Sequence, residues 1–251
     1  MSNEWVNVEV LRGQLANFFH DSKGDLTKFG STVNQTFEAF VLASIASWYK
    51  TQGWSVRAIN PQSPDKNSQK LFRLKFSTRG RPSNYTYIEC SKGDRVIQIR
   101  HQLRVGTKFH KQANWPPANV CLDVAVIEPE DDIEFYSTKD HLDNTKLITF
   151  AEAKHMSAFA ELVAGFIGLV HEIQPRRLKC IRRGTWLKLE HEHPAPFLYV
   201  SGILYHTAKG LKNTIIKRKY DIDIYSETKH LSPKMPLPKK DAPKKTTKRV
   251  K

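Results

Sequence analysis

Cysteine is scarce in this chain and so arranged that it can build little. The three cysteines, Cys90, Cys121 and Cys180, are far apart, odd in number and lack any C-x-x-C spacing. This argues against both a disulfide framework and a structural zinc site, and makes a reducing cytoplasm the expected compartment. Long apolar runs are missing too. The longest, Ala158 to Val170, is interrupted by Glu161, and about 20 apolar residues are needed to span a bilayer. The opening MSNEWVNVEV has neither the basic start nor the apolar stretch of a secretion signal, so no membrane association is expected. Acid is also short: 25 Asp and Glu face 40 Lys and Arg, a net charge of +15. That balance favours a polyanionic partner such as nucleic acid.

Nine basic residues and a single acid, Asp241, lie between Lys229 and Lys251. This Pro- and Lys-rich stretch has almost nothing to bury, so residues 229–251 are expected to be a disordered basic tail. The remaining residues, 1–228, are still net basic and long enough to bury a sizeable core as one domain.

The spacing of Phe37, Phe40, Val41, Ile45 and Trp48 predicts a helix over 31–49, stopped at Gly53. WSVRAI (54–59) alternates like a strand. LFRLKFS (71–77), YTYIEC (85–90) and VIQIRHQLRV (96–105) predict an antiparallel insertion at about 60–118. Simple alternation on its last strand puts Gln98, Arg100, Gln102 and Arg104 on one face, and Ile97, Ile99, His101, Leu103 and Val105 on the other. NVCLDVAVIEP, IEFYS and LITFAEAK read as further strands, 158–172 as a second helix, and 197–205 and 214–226 as closing strands.

Two of these strands carry an acid. Asp123 interrupts CLDVAV, and Glu152 stands two residues before Lys154 in LITFAEAKHM. Residues i and i+2 of a strand share a face, and a charge within an apolar strand costs several kcal/mol unless it is paired or binds a metal, roughly as for any buried ion. Taken singly, each has a plain structural explanation: a strand-end salt bridge for Glu152 and Lys154, or a carboxylate accepting backbone hydrogen bonds for Asp123. Other acid-x-Lys triplets exist, Asp21-Ser22-Lys23 and Glu227-Thr228-Lys229. Only Glu152 has an apolar strand before it, a helix after it and an acid on the preceding major strand.

Asp123 followed by Glu152-Ala153-Lys154, with Glu38 on the first helix, resembles the PD-(D/E)XK nucleases, in particular the branch of Holliday-junction resolvases and Mrr-like enzymes. Leu122 stands where that motif has its proline. The resemblance covers about residues 31–205. It implies an α/β fold, a mixed central sheet flanked by helices with an αβββαβ core, and metal-dependent hydrolysis of phosphodiester bonds, as in a DNA endonuclease. Asp123, Glu152, the Ala153 carbonyl and Glu38 would then hold Mg²⁺, with Mn²⁺ as a substitute, and Lys154 would complete the catalytic set. It also suggests a role in anti-phage defence, alone, as a homodimer, or beside a helicase, ATPase or other protein partner. The alternative is a catalytically silent nucleic-acid-binding subunit. Candidate phosphate contacts are Arg100, Arg104, Arg176, Arg177, Arg182 and Arg183. The run His191-Glu192-His193 resembles a chelate, but Pro194 and Pro196 mark it as a loop.

Overall fold

Nineteen consecutive residues without Gly or Pro form a long helix, α1, Val33–Thr51. Gly53 ends it by taking up φ 82°, which lets the Trp54 N–H turn back to the Tyr49 carbonyl at 3.1 Å. The computed structural model describes residues 33–61, 72–108, 118–129, 141–179 and 192–226, together with Gly13. The expected IEFYS strand and the basic tail lie outside them, as do Arg182, Arg183, Cys180 and His191.

After α1 come β1 (Ser55–Ile59), β2 (Tyr87–Lys92), β3 (Arg95–Gly106), β4 (Asn119–Ile127), β5 (Leu147–Lys154), α2 (Ala160–Ile173), β6 (Phe197–Val200), α3 (His206–Arg218) and β7 (Asp223–Tyr225). The fold is α/β. Its seven-stranded mixed sheet keeps sequence order from β1 to β7. The first five strands pair antiparallel; β6 is parallel to β5, and β7 to β6. The parallel steps occur where α2 and α3 provide the crossovers.

Two apolar clusters cover the two faces. One joins α1 to Ile97, Ile99, Val124, Val126, Ala151 and Ala153. The other joins α2 and α3 to Leu103, Val105, Leu122, Ala125, Phe150 and Leu198. Burial runs round most of α1: Ala39, Leu42, Ala43 and Ala46 are as enclosed as Phe37 and Ile45, since Phe72 and Leu74 belong to the same cluster.

Three expectations are corrected. Residues 72–76 form no strand; Arg73 and Thr86 make one close contact, but the segment makes no ladder. Strand β6 stops at Val200 rather than 205: the Ser201 N–H makes the last rung to the Lys154 carbonyl, the Met156 N–H then turns back to that same carbonyl as β5 ends, and the chain crosses Ser157 closely at Gly202. Residues 214–218 are the last turns of α3, not a strand. Thr214, Ile215 and Ile216 look β-forming, but helical spacing puts Ile215 in the core with Ala208 while Ile216 faces water.

The far end of the β2–β3 hairpin is tied down by a histidine. His193 Nε2 lies 3.2 Å from an Arg95 nitrogen, and its Nδ1 lies 2.8 Å from Tyr49 Oη. Arginine can only donate, so Nε2 accepts and Nδ1 carries the proton. Arg95 also pairs with Glu192 and lies over the Trp54 ring. This neighbourhood is committed to packing rather than to a chelate. Burial, with the charges of Arg95 and Arg177, pushes His193 down to about 4. Between pH 6.5 and 4 the unfolded chain takes up a proton here that the folded chain refuses. The stabilisation is therefore complete above pH 6.5 and lost as pH falls towards 4. Urea unfolding of wild type and His193→Asn should show a stability difference that shrinks by on the order of 2 kcal/mol over that interval.

Candidate active site

The ladder between β4 and β5 pairs Val124 with Ala151 as its last regular step towards the carboxyl end of β5. Beyond it, the two strands are joined through side chains. Asp123 Oδ2 accepts the Ala153 N–H at 2.9 Å, and Glu152 Oε1 faces the Asp123 N–H at 3.4 Å. The acids that looked out of place in apolar strands thus take over donors that a ladder carbonyl would otherwise receive.

Into this fork comes Lys154. Its Nζ lies 2.7 Å from Asp123 Oδ2 and 2.9 Å from Glu152 Oε2. Asp123 and Glu152 are 6 % and 8 % exposed, whereas the Lys154 side chain is 35 % exposed, so the group opens to solvent on the ammonium side. Burial, then the Asp123 charge, push the Glu152 carboxyl up to about 7 against the opposing pull of Lys154. Burial alone would lower Lys154, but Glu152 and Asp123 outweigh it and hold the ammonium well above its usual range.

Glu38, on α1, enters through Gln102. The Gln102 amide donates to Glu38 Oε2 at 2.9 Å and to Asp123 Oδ1 at 3.1 Å, while its oxygen faces Cys121 Sγ at 3.4 Å. Gln102 has φ 52°, unusual for a residue with a side chain. Its carbonyl is held by Lys75 Nζ at 2.6 Å, and the same ammonium binds the Ser77 carbonyl at 2.6 Å. The twist breaks the alternation of β3. His101 and Gln102 both reach Glu38 Oε2, at 3.0 and 2.9 Å, although neighbours in a regular strand point oppositely. The single apolar face expected for β3 is therefore split: Ile97 and Ile99 pack under α1, but Leu103 and Val105 pack under α2 and α3.

The structure brings Asp123, Glu152, Ala153, Lys154 and Glu38 together. The described arginines Arg100, Arg104 and Arg177 have other partners. Arg100 is buried, bonded to Gln98 and lying 4.1 Å over the Tyr87 ring. Arg104 bonds Asn119. Arg177 pairs with Asp221 and reaches the Ile148 carbonyl, while exposed Arg176 lies beside it. Ile148 is four residues from Glu152, or roughly 13 Å along an extended strand, so this pair lies at the opposite end of β5. His155 shares a 2.8 Å contact with Ser201 Oγ and packs near Phe37. Sequence reasoning missed Lys75 and the bridging role of Gln102; the polar Gln102 at a strand position facing Asp123 was the available signal.

The donor set suits a hard divalent cation: two carboxylates and the Ala153 carbonyl. That carbonyl points to the β4 side because it shares an edge with the N–H bonded to Asp123. The Lys154 ammonium stands between the carboxylates as a cation would. Among the described residues, no group of three or more His, Cys, Asp or Glu converges as a ready-made metal site, and Glu38 reaches Asp123 only through Gln102. No protein-family model, curated protein or solved structure matches the chain.

Replacing Lys154 by Met should leave two buried carboxylates uncompensated and cost about 2 kcal/mol or more in EDTA at pH 7.5. Added Mg²⁺ or Mn²⁺ should raise the melting temperature of Lys154→Met more than that of wild type, as read by thermal unfolding.

Proposed function

We propose that the chain is a metal-dependent nuclease that hydrolyses phosphodiester bonds in DNA. The observation that supports it above the others is the fork itself, where carboxylates from neighbouring strands, both buried, share one partly exposed ammonium. A salt bridge serving stability alone has no need of two buried acids at this point, since exposed pairs contribute only about 0–1 kcal/mol and buried ones often no more than apolar replacements.

On this reading Asp123, Glu152 and the Ala153 carbonyl would hold Mg²⁺. When bound, the metal supplies a water of lowered pKa and positive charge against the phosphate oxygens. Asp123 remains oriented by Gln102 and the Ala153 N–H. Glu38 receives the second contact of the same Gln102 amide and so fixes the bridge from α1. Lys154, kept protonated by its two acids, places an ammonium where charge grows on the scissile phosphate. The restriction-endonuclease-like core that the resemblance implies is supported by the order α1, β3, β4, β5, α2, β6, with β3 to β5 antiparallel and β6 parallel to β5. In that mapping β1 and β2 extend the edge of the sheet, and β3 rather than residues 54–59 takes the place of the core's first strand. The setting in anti-phage defence, with or without a partner protein, rests on the resemblance alone.

Purified protein should cut at least one of linear, circular, single-stranded and branched DNA with Mg²⁺ or Mn²⁺, and none in EDTA. Asp123→Ala and Glu152→Ala should abolish cutting and weaken metal binding in calorimetry. Lys154→Ala should retain metal binding while the single-turnover rate falls roughly a hundredfold, and Lys154→Arg should rescue it only in part. Binding without cutting by wild type in every metal would instead favour the silent binding subunit.

A further inference from the structure

Six large apolar side chains are exposed among the described residues, and four of them fall within five residues of the ends of β5 and β6: Met156 at 42 %, Phe159 at 50 %, Ile203 at 47 % and Tyr205 at 42 %. They come from the two segments that leave β5 and β6, and these segments are bonded to each other. The Ser201 N–H bonds the Lys154 carbonyl, the Gly202 N–H the Met156 carbonyl, the Ala158 N–H the Ile203 carbonyl, and the Tyr205 N–H the Ala158 carbonyl. Gly202 is required here: a Cβ would stand 2.8 Å from the Ser157 nitrogen. The apolar group is therefore carried on a braced frame.

Within it the Phe159 and Tyr205 rings stack, with centroids 4.5 Å apart and planes at 22°. The two residues occupy the positions just before α2 and α3, and neither supplies a side-chain cap. Ser, Thr, Asp or Asn there would stabilise each helix by typically about 1 kcal/mol. Two helices forgo that contribution to hold two aromatic rings half in water, a local conflict of the kind found at functional surfaces. Charge of both signs stands near the rings: Glu161 lies in the first turn of α2, whereas α3 opens with Lys209. Helix α3 carries Lys209, Lys212, Lys217 and Arg218 and no acid.

We propose that Phe159 and Tyr205 form a stacking platform for an unpaired base of single-stranded DNA whose backbone passes the Asp123–Glu152–Lys154 fork. Flat aromatic faces suit the π-face of any base, and neighbouring lysines suit the phosphates, the combination that binds single strands without reading sequence. Phe159 is five residues after Lys154, at most about 18 Å away even along a fully extended chain, so base and scissile phosphate belong to the same short stretch of strand. The inference rests on the nuclease reading and narrows its substrate to DNA with an unpaired segment.

The test uses the full chain carrying Glu152→Gln, which prevents cutting during titration, and an oligodeoxynucleotide containing 2-aminopurine, single-stranded or in duplex. Single strand should bind with quenching of 2-aminopurine fluorescence. Phe159→Leu/Tyr205→Leu, which keeps apolar bulk but removes both π-faces, should weaken single-strand binding about tenfold or more and duplex binding less than about twofold. Phe159→Tyr/Tyr205→Phe should keep both affinities, and circular dichroism should show each variant folded. Unchanged single-strand affinity in the leucine variant overturns the platform, as does an equal loss for duplex. A wild-type dimer that the leucine pair dissociates, as judged by sedimentation, also overturns it and assigns the surface to a second copy of the chain. If the protein without Glu152→Gln cuts DNA but the leucine pair leaves single-strand binding intact, the platform fails and the nuclease reading stands. If it cuts nothing while the leucine pair still loses single strands selectively, the nuclease reading fails and the platform stands as a binding surface.

Discussion

The Asp123 carboxylate joins the two strands where their backbones have stopped pairing. One oxygen accepts both the Ala153 N–H and the Lys154 ammonium, and the other accepts the Gln102 amide that also holds Glu38. One side chain therefore closes β4 on β5, places the lysine and connects the sheet to α1. Because the group is buried, its partners are mutually dependent: a satisfied polar network is rigid, and a half-satisfied one is costly. The same constraint that gives the fork its shape leaves Glu152 short of positive charge, with its carboxyl pushed up by burial and by Asp123.

Gln102 extends that dependence into the fold. Its left-handed backbone is held from one side by the Lys75 ammonium on its carbonyl and from the other by the two carboxylates on its amide. Strain of this kind, of order 1–3 kcal/mol, persists only where surrounding contacts over-determine it. Its effect is to change which face β3 presents. Ile97 and Ile99 serve the α1 side and Leu103 and Val105 the other, so both layers of the core meet near the fork.

Much of this was legible in the residue pattern. The apolar spacing in α1 and α2 and the continuous apolar runs of β4 and β5 mark those elements, because helices and buried strands in this fold are read from periodicities of 3.6 and 2. Residues 214–218 misled because β-branched side chains favour strands locally, whereas packing of Ala208 and Ile215 against the sheet favours the helix. Residues 72–76 misled because alternation also occurs in a segment that lays Phe72 and Leu74 over α1 and makes no ladder. Arg100 and Arg177 share a charge but not a location: Arg100 is enclosed by Gln98 and Tyr87, and Arg177 is bound to Asp221 at the other end of β5.

By itself the sequence determined that Asp123 and Glu152 would be anomalous, since an ionised group in an apolar strand must find a partner wherever it ends up. It also determined that Glu152 and Lys154 would share a face, because strand geometry repeats every two residues. Tertiary structure alone decided that the β4–β5 ladder would end between Val124 and Asp123, that Lys154 would serve both acids, and that Gln102 would carry Glu38 to them. It also set Phe159 against Tyr205, residues from two separate crossovers. Each of these is a contact between distant parts of the chain, and local periodicity carries no information about the register and twist that bring such parts together.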